Sequence, residues 1–155
     1  MITLPELRPG TFTAVFARLD EHGRVRGRVA LEPVARAIER QAKINASVGR
    51  HKRGTPTPAQ PGTGPSVISG TLRRSITHSP IVQSGTGWET RVGTAAGFSP
   101  PYGRTPASKY GLYLETGLKN GATYPFLVPA YQFVIRAVAP ALYRAAYGTG
   151  WKRVI

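Results

Sequence analysis

Residues 49 to 66, "GRHKRGTPTPAQPGTGPS", constrain the chain more than any other stretch. Nearly half of them are Pro or Gly, and no apolar residue recurs with the period of a helix or a strand. Neither element can run through such a segment. Whatever precedes it must end near Gly49, and whatever follows must begin afresh near Ser66. Structureless insertions this long inside a compact domain are functional or disordered. The segment also opens with the densest positive cluster of the chain, Arg50, His51, Lys52 and Arg53. It therefore reads as a flexible basic arm. Lacking apolar anchors, it cannot offset its own ordering entropy, and Arg50, Lys52 and Arg53 are its candidate contacts with a partner or DNA.

On the N-terminal side, Val29 to Val48 has a helical stripe of Leu31, Val34, Ile38, Gln41, Ala42 and Ile44 or Asn45. Pro33 falls in its first turn and Gly49 just past its end. Upstream, "DEHGRVRGR" reads as a turn. "TFTAVFARL", residues 11 to 19, alternates like a strand, although Phe12, Phe16 and Leu19 also share a helical face.

On the C-terminal side, Ser69 can cap a short helical turn that puts Leu72 and Ile76 on one side. Strands are expected at about 76–83 and 88–93, joined by the turn "SGTG". Ser108 caps a short helix with Tyr110, Tyr113 and Leu114 on one face, ended by Gly117. Pro129 opens a last helix striped by Tyr131, Val134, Ile135, Val138, Leu142 and Ala145 or Ala146, kinked at Pro140. The tail, 148–155, is an added strand or a frayed end. With 155 residues and no internal repeat, we expect one domain over 1–155. Its class is α+β: a small antiparallel sheet packed by a long N-terminal and a C-terminal helix.

Charge narrows the partners. Twenty-one Lys and Arg against seven Asp and Glu give +14, which points to a polyanion or an acidic protein surface, or serves solubility beside acidic neighbours. The absence of Cys rules out disulfides and thiolate metal sites. No apolar run is long enough to span a membrane, and "MITLPELRPG" is not patterned as a signal peptide. The chain is expected to stay in the compartment where it is made.

Catalytic patterns are weak throughout. His22, His51 and His78 lie in no nucleophile motif, the carboxylates are scattered, and the Gly-rich runs lack a phosphate-loop Lys. We expect no enzyme, cofactor or metal. A small hydrolase would require Glu115 and His78 to share a pocket. The cations are not interleaved with aromatic residues as a base-stacking platform needs, which leaves loose phosphate contact as the DNA-binding alternative.

Three short elements then occur in order: Ser69-Gly70-Thr71-Leu72-Arg73-Arg74-Ser75-Ile76, Tyr110-Gly111-Leu112-Tyr113-Leu114-Glu115-Thr116-Gly117, and Pro125-Phe126-Leu127-Val128-Pro129-Ala130. Together they resemble the head–tail joining, or tail-completion, neck proteins of long-tailed bacteriophages. Ser69 stands for the family's usual Thr and Gly111 for its usual Ala. The resemblance implies a structural virion protein, assembled in the host cytoplasm, that forms a homo-oligomeric, six-fold ring in the neck. That ring would contact head-connector or stopper proteins and tail-tube or tail-terminator proteins, and let DNA pass. Gly70, Leu72, Ile76, Tyr110, Tyr113, Glu115, Gly117, Pro125, Phe126 and Pro129 are then its assembly and structural motif. Glu115 would cap or pair with a basic residue within the chain, or make a contact between subunits.

Overall fold

The structure, a computed structural model, describes residues 11–16, 21–85 and 87–147. The expected tail, 148–155, lies outside them. The fold is α+β. Strand β1 (Thr11–Phe16) is followed by the long helix α1 (Glu21–Asn45), the Pro/Gly-rich segment, and the short helix α2 (Thr71–Ser75). Strands β2 (Ile76–His78), β3 (Val82–Ser84) and β4 (Gly87–Thr94) come next, then helices α3 (Ala107–Thr116), α4 (Leu127–Phe133) and α5 (Ala139–Tyr147). One π-helical turn, Val134–Val138, joins the last two helices.

The sheet is antiparallel and centred on β4, with β1 along one side and β2 and β3 along the other. The single strand expected over 76–83 is in fact two. Between Thr77↔Gly93 and Gln83↔Trp88 the register slips by one residue, so Ser79–Ile81 form a bulge. Pro80 sits in that bulge, where its missing N–H costs no ladder bond. Ser79 ties the break to β4: its N–H donates to the Arg91 carbonyl, and its carbonyl accepts from Thr90 Oγ1 at 2.7 Å.

Helix α1 packs on β4 and β2 on one side and on α4, the π turn and α5 on the other. Its buried stripe is Ala30, Leu31, Val34, Ala35, Ile38, Ala42 and Ala46. Ile44 points outward, 56% exposed, so Asn45 continues the stripe instead. The helix begins at Glu21, eight residues before the expected start. The residues read as a turn include Arg24, Arg26 and Arg28, which are good helix formers, and Glu21 suits the positive helix start. Pro33 is thereby interior. The carbonyl it deprives of a partner belongs to Val29, which lies on the exposed face, within reach of water.

The C-terminal helix starts at Leu127, two residues before Pro129, whose N–H would have been an unpaired one anyway. Buried positions in this region run Leu127, Ala130, Val134, then Ala139. The last step is five residues, and the Ala139 N–H donates to the Val134 carbonyl. The wide turn keeps both halves facing α1 and clears the ring of Pro140 from the preceding turn.

The basic segment has anchors that its composition did not reveal. Ala59 is buried, the Val48 N–H donates to the Pro65 carbonyl, and the Gly62 N–H donates to the Thr123 carbonyl. Arg50 and Val67 form a parallel bridge. At Gly64 the backbone crosses the end of α1 so closely that a Cβ would lie 1.8 Å from the Asn45 carbonyl oxygen. Gly64→Ala must therefore push the segment off α1. Trypsin should then cut at Arg50, Lys52 and Arg53 markedly faster than in the wild type. Equal cutting rates in the two proteins would show that Gly64 does not seat the segment.

Candidate functional site

Two features organise the chemistry-bearing residues: a junction of the three sequence elements, and a basic groove on α1.

At the junction, α3 turns its Gly111 toward Leu72 of α2, Thr94 of β4 and Phe126 at the start of α4. A Cβ at 111 would sit 3.2, 3.4 and 3.6 Å from them. Phe126 is 1% exposed. Its carbonyl accepts from Asn45 Nδ2 of α1 at 3.0 Å. Its N–H donates to Glu115 Oε1 at 2.7 Å, and the Leu127 N–H donates to the same oxygen. Glu115 is thus a cap supplied from another helix, an acceptor for the unpaired donors at the start of α4. Burial pushes its carboxyl up, and the amides of Leu127, Phe126 and Val128 offset part of that rise.

The approach to this cap is fixed by the turn after α3. Gly117, with φ 133°, adopts a backbone that side chains rarely tolerate. The Leu118 N–H donates to the Ala122 carbonyl, and the Tyr124 N–H returns to the Leu114 carbonyl. Pro125 then leads in directly. At α2, Ser69 Oγ accepts from the Thr71 N–H, while Gly70 holds the N-cap position with φ 74°. Ile76 does not extend that helix; it opens β2, wholly buried.

Two expectations are corrected at α3. The helix starts at Ala107 after Pro106, with no side-chain cap from Ser108. Its inward face is Ala107, Gly111 and Leu114, and Tyr113 is 42% exposed. Spacing by three and four from Ala107 selects that face and turns Tyr113 to solvent. Tyr110 is half-buried, beside a depression of about 470 Å³ that Gly70, Leu72, Leu114 and Tyr124 also line. Burial, with Tyr102 nearby, pushes its hydroxyl up to about 12, against smaller opposing effects of Arg74 and the Leu72 backbone.

The groove, about 750 Å³, runs along the exposed side of α1. Arg36, Glu39, Arg40, Lys43, Ile44 and Ser47 line it from α1, with Arg73 from α2 and His78 from β2. His78 Nδ1 lies 2.6 Å from Glu39 Oε2, and its Nε2 lies 3.4 Å from Glu32 Oε1. Glu39 also accepts from Lys43 Nζ, and Glu32 from Arg36 Nε at 2.7 Å. Burial pushes Glu39 up, but the hydrogen bonds and charges of Lys43 and His78 outweigh it and leave the carboxyl lowered. Glu32 is lowered chiefly by its hydrogen bond from Arg36, with His78 helping against desolvation. His78 and Glu115 therefore serve separate structures, and the pocket that a hydrolase would need does not form between them.

The lowered carboxyls make the α1–β2 tie acid-labile. Their ionised forms stabilise the fold above the ordinary value of 4.5, and that contribution is lost as pH falls through the lower folded values. The stability gap between wild type and Glu39→Gln, measured by urea unfolding, should be open at pH 6 and close as pH drops well below 4.5. A gap that is constant over that range would remove Glu39 from the tie.

Of the arm residues, Arg50, Lys52 and Arg53 are all exposed, and the Arg53 guanidinium lies 5.0 Å from the Tyr102 ring centre. Sequence reading missed the groove because it pooled these cations with the rest of the +14. The spacing of Arg36, Arg40 and Lys43 at i, i+4 and i+7 was the available signal. Against known proteins, no family model, curated sequence or solved structure matches the chain.

Proposed function

We propose that this chain is a structural virion protein of a long-tailed bacteriophage, a member of the head–tail joining or tail-completion type. In this reading it forms a homo-oligomeric ring, six-fold, in the neck. The ring seats between the head connector or stopper and the tail-tube or tail-terminator protein, and the genome passes through its centre. Assembly takes place in the host cytoplasm. Its work is mechanical: it joins two bodies and carries out no chemistry on a substrate.

The observation that carries the reading is the meeting of the three motif elements in one packing unit. Leu72 and Phe126 both border the space beside Gly111, and Glu115 of the second element caps the helix that the third begins. Residues shared with a family in three separate places are explained together if they are one architectural joint. The sheet adds support. Val82, Gln83 and Ser84 form an exposed outer edge, which a ring contact would cover.

A second reading, a non-specific DNA-binding module, is favoured by the basic groove. Deleting the gene from its phage separates the two. A neck component's loss should leave filled heads and free tails side by side in electron micrographs. Joined, infectious virions from the deletion strain would sink the neck reading.

A further inference from the structure

We infer that the α1 groove is a binding site for the sugar–phosphate backbone of a double-stranded nucleic acid, gripped without regard to sequence. The inference stands on the groove itself and holds whether or not the chain forms a ring.

The lining sets four cationic side chains, Arg36, Arg40, Lys43 and Arg73, against one carboxylate, Glu39. Glu39 is already committed to Lys43 and His78. Among the described residues, no carboxylate lies within ion-pair distance of Arg40 or Arg73. Two guanidiniums therefore face the groove with their forked donors free, the geometry that takes a phosphate two bonds at a time. On α1 the cations at 36, 40 and 43 form a stripe about 10 Å long, which spans about three phosphates of one strand.

Charge supply among the described residues argues against a second copy of this chain as the occupant. The acidic side chains described are Glu32, Glu39, Glu89 and Glu115. The first two are held by Arg36, Lys43 and His78, the third by Arg91, and the last by backbone amides. None of these described carboxylates is left to neutralise a neighbour's groove. An acidic protein segment fits poorly for another reason. Such docking gains affinity from a buried apolar centre, and Ile44 is the one large apolar side chain in the lining. A phosphate backbone needs no such centre. No Phe, Tyr or Trp lines the groove, and the His78 ring is held by Glu39 and Glu32, so unstacked bases find little platform and a duplex is favoured over a single strand.

The test is fluorescence anisotropy of a labelled duplex DNA against the free full-length protein over a salt series. The same measurement is made with a single strand of equal length and with poly-glutamate. Arg40→Gln/Arg73→Gln is compared with Lys109→Gln/Lys119→Gln, which removes the same charge from exposed positions outside the groove. The groove pair should weaken duplex binding roughly tenfold or more and flatten the salt slope by about 2. The outside pair should change affinity by less than about threefold. Circular dichroism of both variants checks that they fold. Equal losses in the two pairs would overturn the site in favour of diffuse attraction. Tighter binding of poly-glutamate or of the single strand would overturn the assignment to a duplex. Ring formation is read separately by light scattering, so its failure and the failure of the groove are distinct results.

Discussion

Phe126→Ala should lower the stability of this protein by about 3–5 kcal/mol, the range for emptying a large aromatic side chain from a packed interior. Phe126 heads the largest fully buried side chains and belongs to the cluster that includes Ile38, Ile76, Val92 and Val134. Its ring also bounds the space in front of Gly111. The cavity would open at the point where α1, α3 and α4 meet. The backbone of residue 126 is itself pinned by hydrogen bonds with the Asn45 and Glu115 side chains, which limits how far α1, α3 and α4 can close over the cavity. A loss of this size is comparable to the whole stability of a small domain. Denaturant melts should show either a large drop in midpoint or no folded baseline. An unchanged midpoint would remove Phe126 from the core and with it the packing argument for the three-element joint.

Glu115→Ala should be the next most costly change, about 2–4 kcal/mol. It strips the acceptor from two amides at a part-buried helix start, and each unmade bond of that kind costs roughly 1–3 kcal/mol. Glu115→Gln keeps a carbonyl oxygen for the same donors and gives up only the charge. Burial already disfavours that charge, so the change should cost less than about 1 kcal/mol. This ordering distinguishes a cap from an ion pair, for which Gln and Ala would be similarly harmful. The pH response is a second signature. Burial raises this carboxyl in the folded protein, so its contribution to stability grows as pH falls through the raised value. That is opposite in sign to Glu39. Equal stabilities for the Ala variant and the wild type would end the capping account.

The sequence was most legible where a residue's role is local. The buried stripe of α1, the break near Gly49, the strand pair closed by "SGTG" and the burial of Phe126 all follow from spacing or from a single residue's chemistry. Glu115 shows where that stops. A cap was among its expected roles, but its partners are backbone amides of Phe126 and Leu127, which no side-chain pattern announces. The early start of α1 was hidden because Arg24, Arg26 and Arg28 carry no apolar signal, although they favour helix. Gly64 lies in a Pro/Gly-rich stretch that composition marks only as irregular, yet what it provides is room for the Asn45 carbonyl, a fact of close approach between distant segments. The basic groove required knowing which of many cations share a face with Arg73 from another helix.

The pairing of β1 with β4 has a consequence for synthesis. Thr11 faces Gly93 and Phe16 faces Trp88, so β1, once synthesised, meets its partner only after α1, the basic segment, β2 and β3 have followed. Long-range pairing of this kind is slow to form. Until Thr94 has emerged, "TFTAVF" is an uncharged stretch of strand-forming residues able to pair with its like on another nascent chain. Arg8 and Arg18 stand on either side of it in the sequence, charges of the kind that keep such segments apart. The yield of soluble protein should therefore depend on how fast residues 17 to 94 are translated, as well as on how stable the finished sheet is.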